Sequence, residues 1–301
     1  MEEVIDVLSV PIKIDSGSKL LCLLGNPVGH SVSPQLQNTI SKVMGKNFVY
    51  LNFKVEESNL GSVVEGLKAL GAVGFNITIP YKEKIMKYLD KTDEAALKIG
   101  AVNTVAIRNG ILEGCNTDWI GFYKALESGT GYGLRGERVL ILGAGGSARA
   151  IAFSVIKNGA ASLSICNRTY VKAVSFADEL QSKYGMLVDV IPYEDLAIYS
   201  AIEKNSLIIN TTSLGMFPNV ANSPVRDNAP FYKGQRVFDI VFNPRETKLM
   251  KMAARKGAKV LNGLGMLARQ GIESWEFFTG VKIDKTSMEK ILSELKELGI
   301  C

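Results

Sequence analysis

The 301-residue chain is 47% hydrophobic and 22% charged, with a net charge of +5 and a single histidine. That composition is globular and excludes disordered and fibrous classes. Its longest apolar runs are strand-length, far short of the roughly 20 residues of a membrane-spanning helix. At about 100–200 residues per domain, two domains are expected.

Residues 1–18 read as a polar leader or a loose first segment. Glu2, Glu3 and Asp6 stand where a signal peptide would be basic, so a cytoplasmic protein is expected. Leu20–Leu24 reads as a buried strand and Ser33-Pro34 as a helix start, since proline suits a first turn. Phe48–Val55 reads as a strand. A helix follows over Leu60–Leu70, with apolar residues at Leu60, Val63, Val64, Leu67 and Leu70. Phe75–Ile79 predicts a third strand, and Pro80 is expected to open the next helix. Asn103–Arg108 and Ile111–Gly114 flank Asn109-Gly110, a hairpin signal because both turn positions need positive φ. The first half thus reads as an open, mostly parallel sheet with an antiparallel edge. The Gly-rich stretch Gly129–Arg135 marks a change of domain. A second αβ series follows: strand Val139–Leu142, helix Ala148–Asn158, strand Ser162–Cys166, a helix near Lys172–Lys183, then strands Leu207–Ile209 and Val237–Val241. From Leu264 the pattern is helical, and 284–297 is an ordinary amphipathic helix.

The segment Val139–Ala150 is the most informative. An apolar strand runs into Gly143-Ala144-Gly145-Gly146-Ser147-Ala148, which fits G-x-G-x-x-G/A between a strand and a helix. Gly143 allows the tight turn, Gly145 lets the backbone approach a pyrophosphate, and Ala148 lets the helix sit close to the strand. The helix N-terminus offers free N–H groups and positive potential to phosphates. The second strand of this series ends Cys166-Asn167-Arg168-Thr169, with Lys172 beyond. An NAD site usually carries a carboxylate at that tip. Arg168 instead suits a phosphate dianion, and Lys172 adds charge, so NADP is the expected cofactor.

Three polar segments lie at predicted strand ends in the first half: Ser31–Pro34, Asn76–Lys82 and Asn116–Asp118. Ligands of open α/β sheets sit beyond the carboxyl ends of strands. Hydroxyls, an amide, an amine and a carboxylate gathered there suit a polyhydroxylated substrate. Lys82 is placed in a first helical turn, where the macrodipole disfavours a cation. An ammonium there could donate to a carbonyl oxygen as hydride arrives, with Asp118 as its partner. On residues alone, Lys82 is equally a surface lysine, and Asp118 or Thr117 a helix N-cap.

Taken in order, these segments resemble shikimate dehydrogenases of the shikimate/quinate dehydrogenase family. The matching motifs are Ser31–Pro34, Asn76–Lys82, Ala101–Thr104, Asn116–Asp118, Gly143–Gly146, Asn167–Thr169 and Gly263–Leu267 with Gln270. The resemblance implies two α/β domains facing a cleft: a substrate domain over 1–122, completed by C-terminal helices in 264–301, and a Rossmann-type NADP domain over 123–263. It implies reversible NADPH-dependent reduction of 3-dehydroshikimate to shikimate, a step toward chorismate and the aromatic amino acids. By it, Ser31 and Ser33 would bind the substrate carboxylate, and Thr78, Asn103 and Gln270 its hydroxyls or ring. Lys82 would be the general acid/base, beside Asp118. Gly143, Ala144, Gly145, Gly146 and Ser147 would cradle the pyrophosphate, and Asn167, Arg168, Thr169 and Lys172 the 2′-phosphate. Ile240 and Gly263 would lie near the nicotinamide and Glu94 at the cofactor's edge.

Two positions depart from the family pattern. Phe242 stands where the family often has tyrosine, removing a substrate hydrogen bond of about 0.5–1.5 kcal/mol. Trp119 follows Asp118 where the family usually has glycine, and could narrow the cleft or alter the carboxylate's surroundings. A close alternative is a quinate/shikimate dehydrogenase of broader substrate or NAD use: Phe242 keeps the substrate variant open, while Arg168 and Lys172 argue against NAD; a third alternative is a ligand-sensing module of the same fold without catalysis. His30 reads as loop-shaping. Cys22, Cys115, Cys166 and Cys301 form no CxxC pair and no metal spacing, so free thiols and no metal are expected. Small-molecule ligands, no nucleic acid or membrane partner, and a homodimer as a compatible assembly complete the expectation.

Overall fold

Short runs of leucine, valine and isoleucine, separated by amphipathic stretches, fold here into two six-stranded sheets. The structure is a computed structural model and describes residues 14–29 and 31–300. Most of the polar leader, His30 and Cys301 lie outside the described residues. The chain divides into two units, 1–117 with 267–301, and 118–266. The sequence placed those breaks at 122 and 264, a few residues away, and read the Gly-rich stretch as the change of domain. That stretch instead lies inside the second unit, just after its first helix.

The first unit contains β1 (Lys19–Gly25), α1 (Ser33–Val43), β2 (Phe48–Lys54), α2 (Leu60–Ala69), β3 (Gly74–Ile77), β4 (Lys91–Thr92), α3 (Glu94–Ile99), β5 (Thr104–Arg108) and β6 (Ile111–Cys115). Its sheet order is β2-β1-β3-β5-β6-β4. β1 runs parallel to both β2 and β3, while β5 is antiparallel to β3 and β6. β1 is central because Leu21, Cys22 and Leu24 give it apolar side chains on both faces, all fully buried. The hairpin turn forms as expected, with Asn109 at φ 51° and Gly110 at φ 77°. The chain returns to this unit through α9 (Leu264–Thr279) and α10 (Lys285–Glu297), once it has traversed the second unit. Gly271 lets α9 approach α1: a Cβ there would lie 2.3 Å from Leu36 Cδ2. Buried Trp275 donates its indole N–H to Ser41 Oγ at 3.0 Å, and Gln37 donates to the Gly271 carbonyl at 2.9 Å.

The second unit contains α4 (Asp118–Thr130), β7 (Arg138–Leu142), α5 (Gly146–Lys157), β8 (Ser162–Cys166), α6 (Tyr170–Tyr184), β9 (Val188–Ile191), α7 (Asp195–Lys204), β10 (Leu207–Asn210), β11 (Arg236–Asp239), α8 (Lys248–Arg255) and β12 (Lys259–Leu261). All its strand pairs are parallel, in the order β12-β11-β10-β7-β8-β9. Counted from β7, this is the 3-2-1-4-5-6 order of a dinucleotide-binding sheet, with its switch point between β7 and β10. Val139, Ile141, Leu163, Ile165 and Ile209 carry the core against Ala148, Ile151 and Val155 of α5. The sequence reading left β4, α3, β9, α7, α8 and β12 unassigned. These are short elements, and a strand of two to four residues offers too little alternation to stand out.

Candidate active site

In the first unit, polar side chains gather where β3 and β5 meet α9. Asn103 is almost fully buried just before β5. Its Oδ1 accepts from the Thr117 N–H at 2.8 Å and from Thr104 Oγ1 at 2.9 Å. Its amide donates to Thr117 Oγ1 at 2.9 Å and to Gln270 Oε1 at 3.3 Å. Asn103 and Gln270, 167 residues apart, are thereby brought together. Asn76 lies deeper. Its amide reaches the Asn103 carbonyl at 3.0 Å, Thr104 Oγ1 at 3.0 Å and Ser274 Oγ at 3.2 Å, and its Oδ1 accepts from the Tyr50 hydroxyl at 2.8 Å. Burial holds the Tyr50 phenol well above its usual range, with Cys22 adding to the shift and a hydrogen bond with Ser33 opposing it. Tyr50 is therefore a neutral donor joining this cluster to the serine loop. There Ser31 Oγ donates to Ser33 Oγ at 3.0 Å and accepts from the Ser33 N–H at 3.2 Å.

Sequence reasoning gave no role to Tyr50 or Ser274, named Thr104 only within a matching motif, and read Thr117 as a helix N-cap alternative. Ser274 was within reach, because it lies one helical turn after Gln270 on the same face. Tyr50 was not, since nothing local marks which side chain of β2 will meet Asn76.

Lys82 does not stand in the first turn of an α-helix. β3 ends at Ile77, and Thr78–Glu83 forms a turn before a short 3₁₀ segment, Lys84–Tyr88. The macrodipole argument for Lys82 falls with that helix. Its positioning comes from anchors instead. Buried Tyr81 donates its hydroxyl to the Val55 carbonyl at 2.6 Å, and the Lys82 carbonyl accepts from the Val102 N–H at 2.8 Å. The Thr78 N–H is held by the Leu24 carbonyl at 2.9 Å. Gly25 makes room for Thr78, since a Cβ there would sit 2.3 Å from Thr78 Cγ2. Lys82 and Thr78 are both half-buried. Glu94 opens α3 on the surface and pairs with Lys98 at 2.5 Å.

In the second unit, Gly143 leaves β7 at φ 118°, and a Cβ there would lie 2.4 Å from Thr211 Oγ1. Both the backbone angle and the close approach demand glycine. Gly145 caps α5 in an extended conformation, with open space where a Cβ would point. Gly146 and Ser147 begin a 12-residue helix, where backbone N–H groups have no intrahelical acceptor. Fully buried Ala148 seats that helix on the sheet. β8 is the neighbour of β7 and pairs Cys166 with Leu142, so Asn167 and Arg168 emerge beside this turn. Asn167 donates to the Thr169 carbonyl at 2.9 Å, which holds the tip, and Arg168 and Lys172 are exposed. Open backbone at Gly145, with exposed Arg168 just past the next strand and exposed Lys172 in the first turn of α6, suits a dinucleotide with an added phosphate.

On the other side of the switch point, Ile240 and Gly263 meet. A Cβ on Gly263 would lie 2.0 Å from the Ile240 carbonyl oxygen, and the Gly263 N–H donates to the Val241 carbonyl at 3.2 Å. Half-buried Phe242 follows in the loop to α8. Asp118 is buried in the first turn of α4. The neighbouring Trp119 turns onto α5: its ring meets Phe153 edge-on at 5.4 Å and carries the Lys157 ammonium at 4.5 Å. Its position is thus explained by helix–helix packing. Among the described residues, no cluster of metal-ligating side chains occurs and no helix is long and apolar enough to cross a membrane.

A 3-2-1-4-5-6 sheet with a phosphate-binding turn, joined in one chain to a second α/β unit with a polar cluster, defines a dinucleotide-dependent oxidoreductase. Three family models match the chain: the shikimate dehydrogenase substrate binding domain over 23–105, shikimate / quinate 5-dehydrogenase over 126–255, and the shikimate 5′-dehydrogenase C-terminal domain over 263–292. The NADP(+) shikimate dehydrogenase of Methanococcus aeolicus is 45% identical over 94% of this chain and 99% of its own. A crystal structure of a shikimate dehydrogenase in complex with NADP+ is 40% identical, with a TM-score of 0.85 over 95% of this chain and 98% of that one. A shikimate 5-dehydrogenase from Thermus thermophilus, in complex with NADP(H) and shikimate, is 32% identical, with a TM-score of 0.80 over 92% of this chain and 99% of that one. The chain belongs to the shikimate dehydrogenase family. Nothing among these relatives favours the ligand-sensing alternative.

Proposed function

We propose that this protein catalyses the reversible NADPH-dependent reduction of 3-dehydroshikimate to shikimate, with residues 1–117 and 267–301 holding the substrate and 118–266 the cofactor. The observation that carries the substrate half is the hydrogen-bonded group of Asn103, Thr117 and Gln270, joined to Asn76 at the end of the strand that leads to Thr78. Such a set presents amide and hydroxyl groups to a ring bearing several hydroxyls. Ser31 and Ser33 offer two hydroxyls to its carboxylate, and Phe242 contributes an apolar face.

Gly143–Ser147 hold the pyrophosphate, and Asn167, Arg168, Thr169 and Lys172 the 2′-phosphate; Ile240 and Gly263 flank the nicotinamide, with Glu94 at the cofactor's edge. When bound, NADPH supplies the hydride that adds to the ring carbonyl carbon. Lys82 then delivers a proton from its ammonium to the carbonyl oxygen, so the C=O bond becomes a secondary alcohol. Asp118 is the second residue that the family resemblance assigns to the chemistry. In the oxidative direction the amine of Lys82 takes the proton back. The buried free thiols Cys22, Cys115 and Cys166 support a reducing cytoplasmic setting. Exposed Leu51 and Phe53 on edge strand β2 support a homodimer.

The test is an absorbance assay of reduced nicotinamide with shikimate or quinate, each paired with NADP or NAD. Rapid turnover is expected for shikimate with NADP. Comparable turnover with quinate or NAD would assign the broader activity, and no turnover with any pair would end the reading.

A further inference from the structure

The segment Asp239–Pro244 contains a carboxylate that the roles above do not use. Asp239 is the last residue of β11 and is fully buried. Its Oδ1 accepts from Asn210 Nδ2 at 2.9 Å and from the Val241 N–H at 3.0 Å, while its Oδ2 accepts from Thr247 Oγ1 at 2.7 Å. One carboxylate therefore joins the exit of β10, the exit of β11 and the N-cap of α8.

The β10 exit leads to the dinucleotide turn. Asn210 Oδ1 accepts from the Thr212 N–H at 3.0 Å and from Thr212 Oγ1 at 2.7 Å, and Thr212 Oγ1 in turn accepts from the Leu214 N–H at 3.2 Å. The loop so folded begins with Thr211, whose hydroxyl occupies the space beside Gly143 and donates to the Leu142 carbonyl at 2.8 Å. At the exit of β11, Val241 accepts from Gly263, which rests against the Ile240 carbonyl. We propose that Asp239 is a positioning residue for the nicotinamide half of the cofactor, fixing the Ile240 strand end and the 211–215 loop, which leave the neighbouring strands β11 and β10 on one side of the switch point. The inference rests on the NADP reading above.

The chemistry of the group favours this over simple structural cement. All three contacts use it as an acceptor, so an amide in its place must turn one N–H toward the Thr247 hydroxyl. Burial pushes the Asp239 carboxyl up to about 6 despite hydrogen bonds from Thr247, Val241 and Asn210 that pull it down. Holding it ionised at neutral pH therefore opposes stability. A structural link between three segments needs no such charge.

The experiment compares Asp239→Asn and Thr247→Val with wild type, and uses Thr247→Ser as the conservative control. Calorimetry gives the dissociation constants of NADP+ and of 2′,5′-ADP, which carries the adenosine and its phosphates but no nicotinamide. The expected result is NADP+ binding weakened about tenfold in both Asp239→Asn and Thr247→Val, as for loss of a hydrogen bond to a charged group. Thr247→Ser should bind NADP+ like wild type, and 2′,5′-ADP affinity should be unchanged throughout. Equal weakening of both ligands would show general damage and overturn the inference. So would NADP+ binding at wild-type strength in Asp239→Asn and Thr247→Val. A wild-type protein that binds 2′,5′-ADP but oxidises no shikimate would remove the substrate reading and leave this one standing, whereas one that binds neither ligand would remove both.

Discussion

Replacing Asp239 with asparagine should change stability in a pH-dependent way that the structure fixes in sign and size. The folded-state value of about 6 lies above the ordinary 3.8, because burial outweighs the three donors. Between those values the folded protein binds more protons at this site than the unfolded chain. The favourable contribution is therefore fully present below 3.8 and is lost as pH rises through about 6. A rise from 3.8 to about 6 corresponds to about 3 kcal/mol in all, of which about 2 kcal/mol is lost between roughly pH 4.5 and pH 7.5. Asparagine does not titrate. The stability of Asp239→Asn relative to wild type should therefore rise by about 2 kcal/mol across that interval. Urea unfolding of both proteins at matched pH values measures this difference and cancels the titration of every other group. A difference that is flat with pH, or that falls toward neutrality, would refute the reasoning.

Further outcomes follow from the same geometry. Removing the guanidinium in Arg168→Ala should raise the KM for NADP by about 10- to 100-fold while leaving that for NAD nearly constant, as for loss of a charged hydrogen-bond donor; equal shifts would displace the 2′-phosphate from this tip. Gly263→Ala would drive a Cβ to 2.0 Å from the Ile240 carbonyl oxygen, so the strand end must move. It should destabilise the protein by about 1–3 kcal/mol in denaturant unfolding, and a neutral result would contradict the packing described. Asn103→Ala leaves the buried Thr117 N–H without its acceptor. Thermal and urea unfolding should show a loss of about 1–3 kcal/mol, with a higher KM for shikimate; an unchanged KM would exclude Asn103 from the substrate site.

The parts of this account that were legible in the sequence are the local ones. The turn from β7 into α5 is written in six consecutive residues, because glycine at Gly143 and alanine at Ala148 answer steric demands within that stretch and Gly145 leaves open space beside the backbone. The cation pair Arg168 and Lys172 was visible because a strand end lacking a carboxylate is a local fact. Lys82 shows the limit. Its residue type was informative, yet Pro80 leads into a turn and a 3₁₀ segment rather than the α-helix expected, so the reason offered for its placement did not survive. The polar cluster was only half legible. Asn103 and Gln270 are joined across 167 residues, and Tyr50 meets Asn76 through a strand register that pairs Leu23 with Asn52 on one side and Asn76 on the other. Trp119 looked like an intrusion beside Asp118, but a side chain on a helix is placed by what lies beneath that helix, here Phe153 and Lys157. Asp239 was passed over because a carboxylate at a strand end carries no local sign that three donors from separate segments will converge on it.

The central claim is that Lys82 moves the proton in a shikimate-forming reduction. The direct measurement follows NADPH consumption with 3-dehydroshikimate for wild type and Lys82→Ala, with shikimate quantified as product. The account predicts one shikimate formed per NADPH consumed in the wild type, and a kcat about 10² to 10⁴ lower in the variant while substrate still binds. Equal turnover by the two proteins, or NADPH consumption without shikimate, would contradict it.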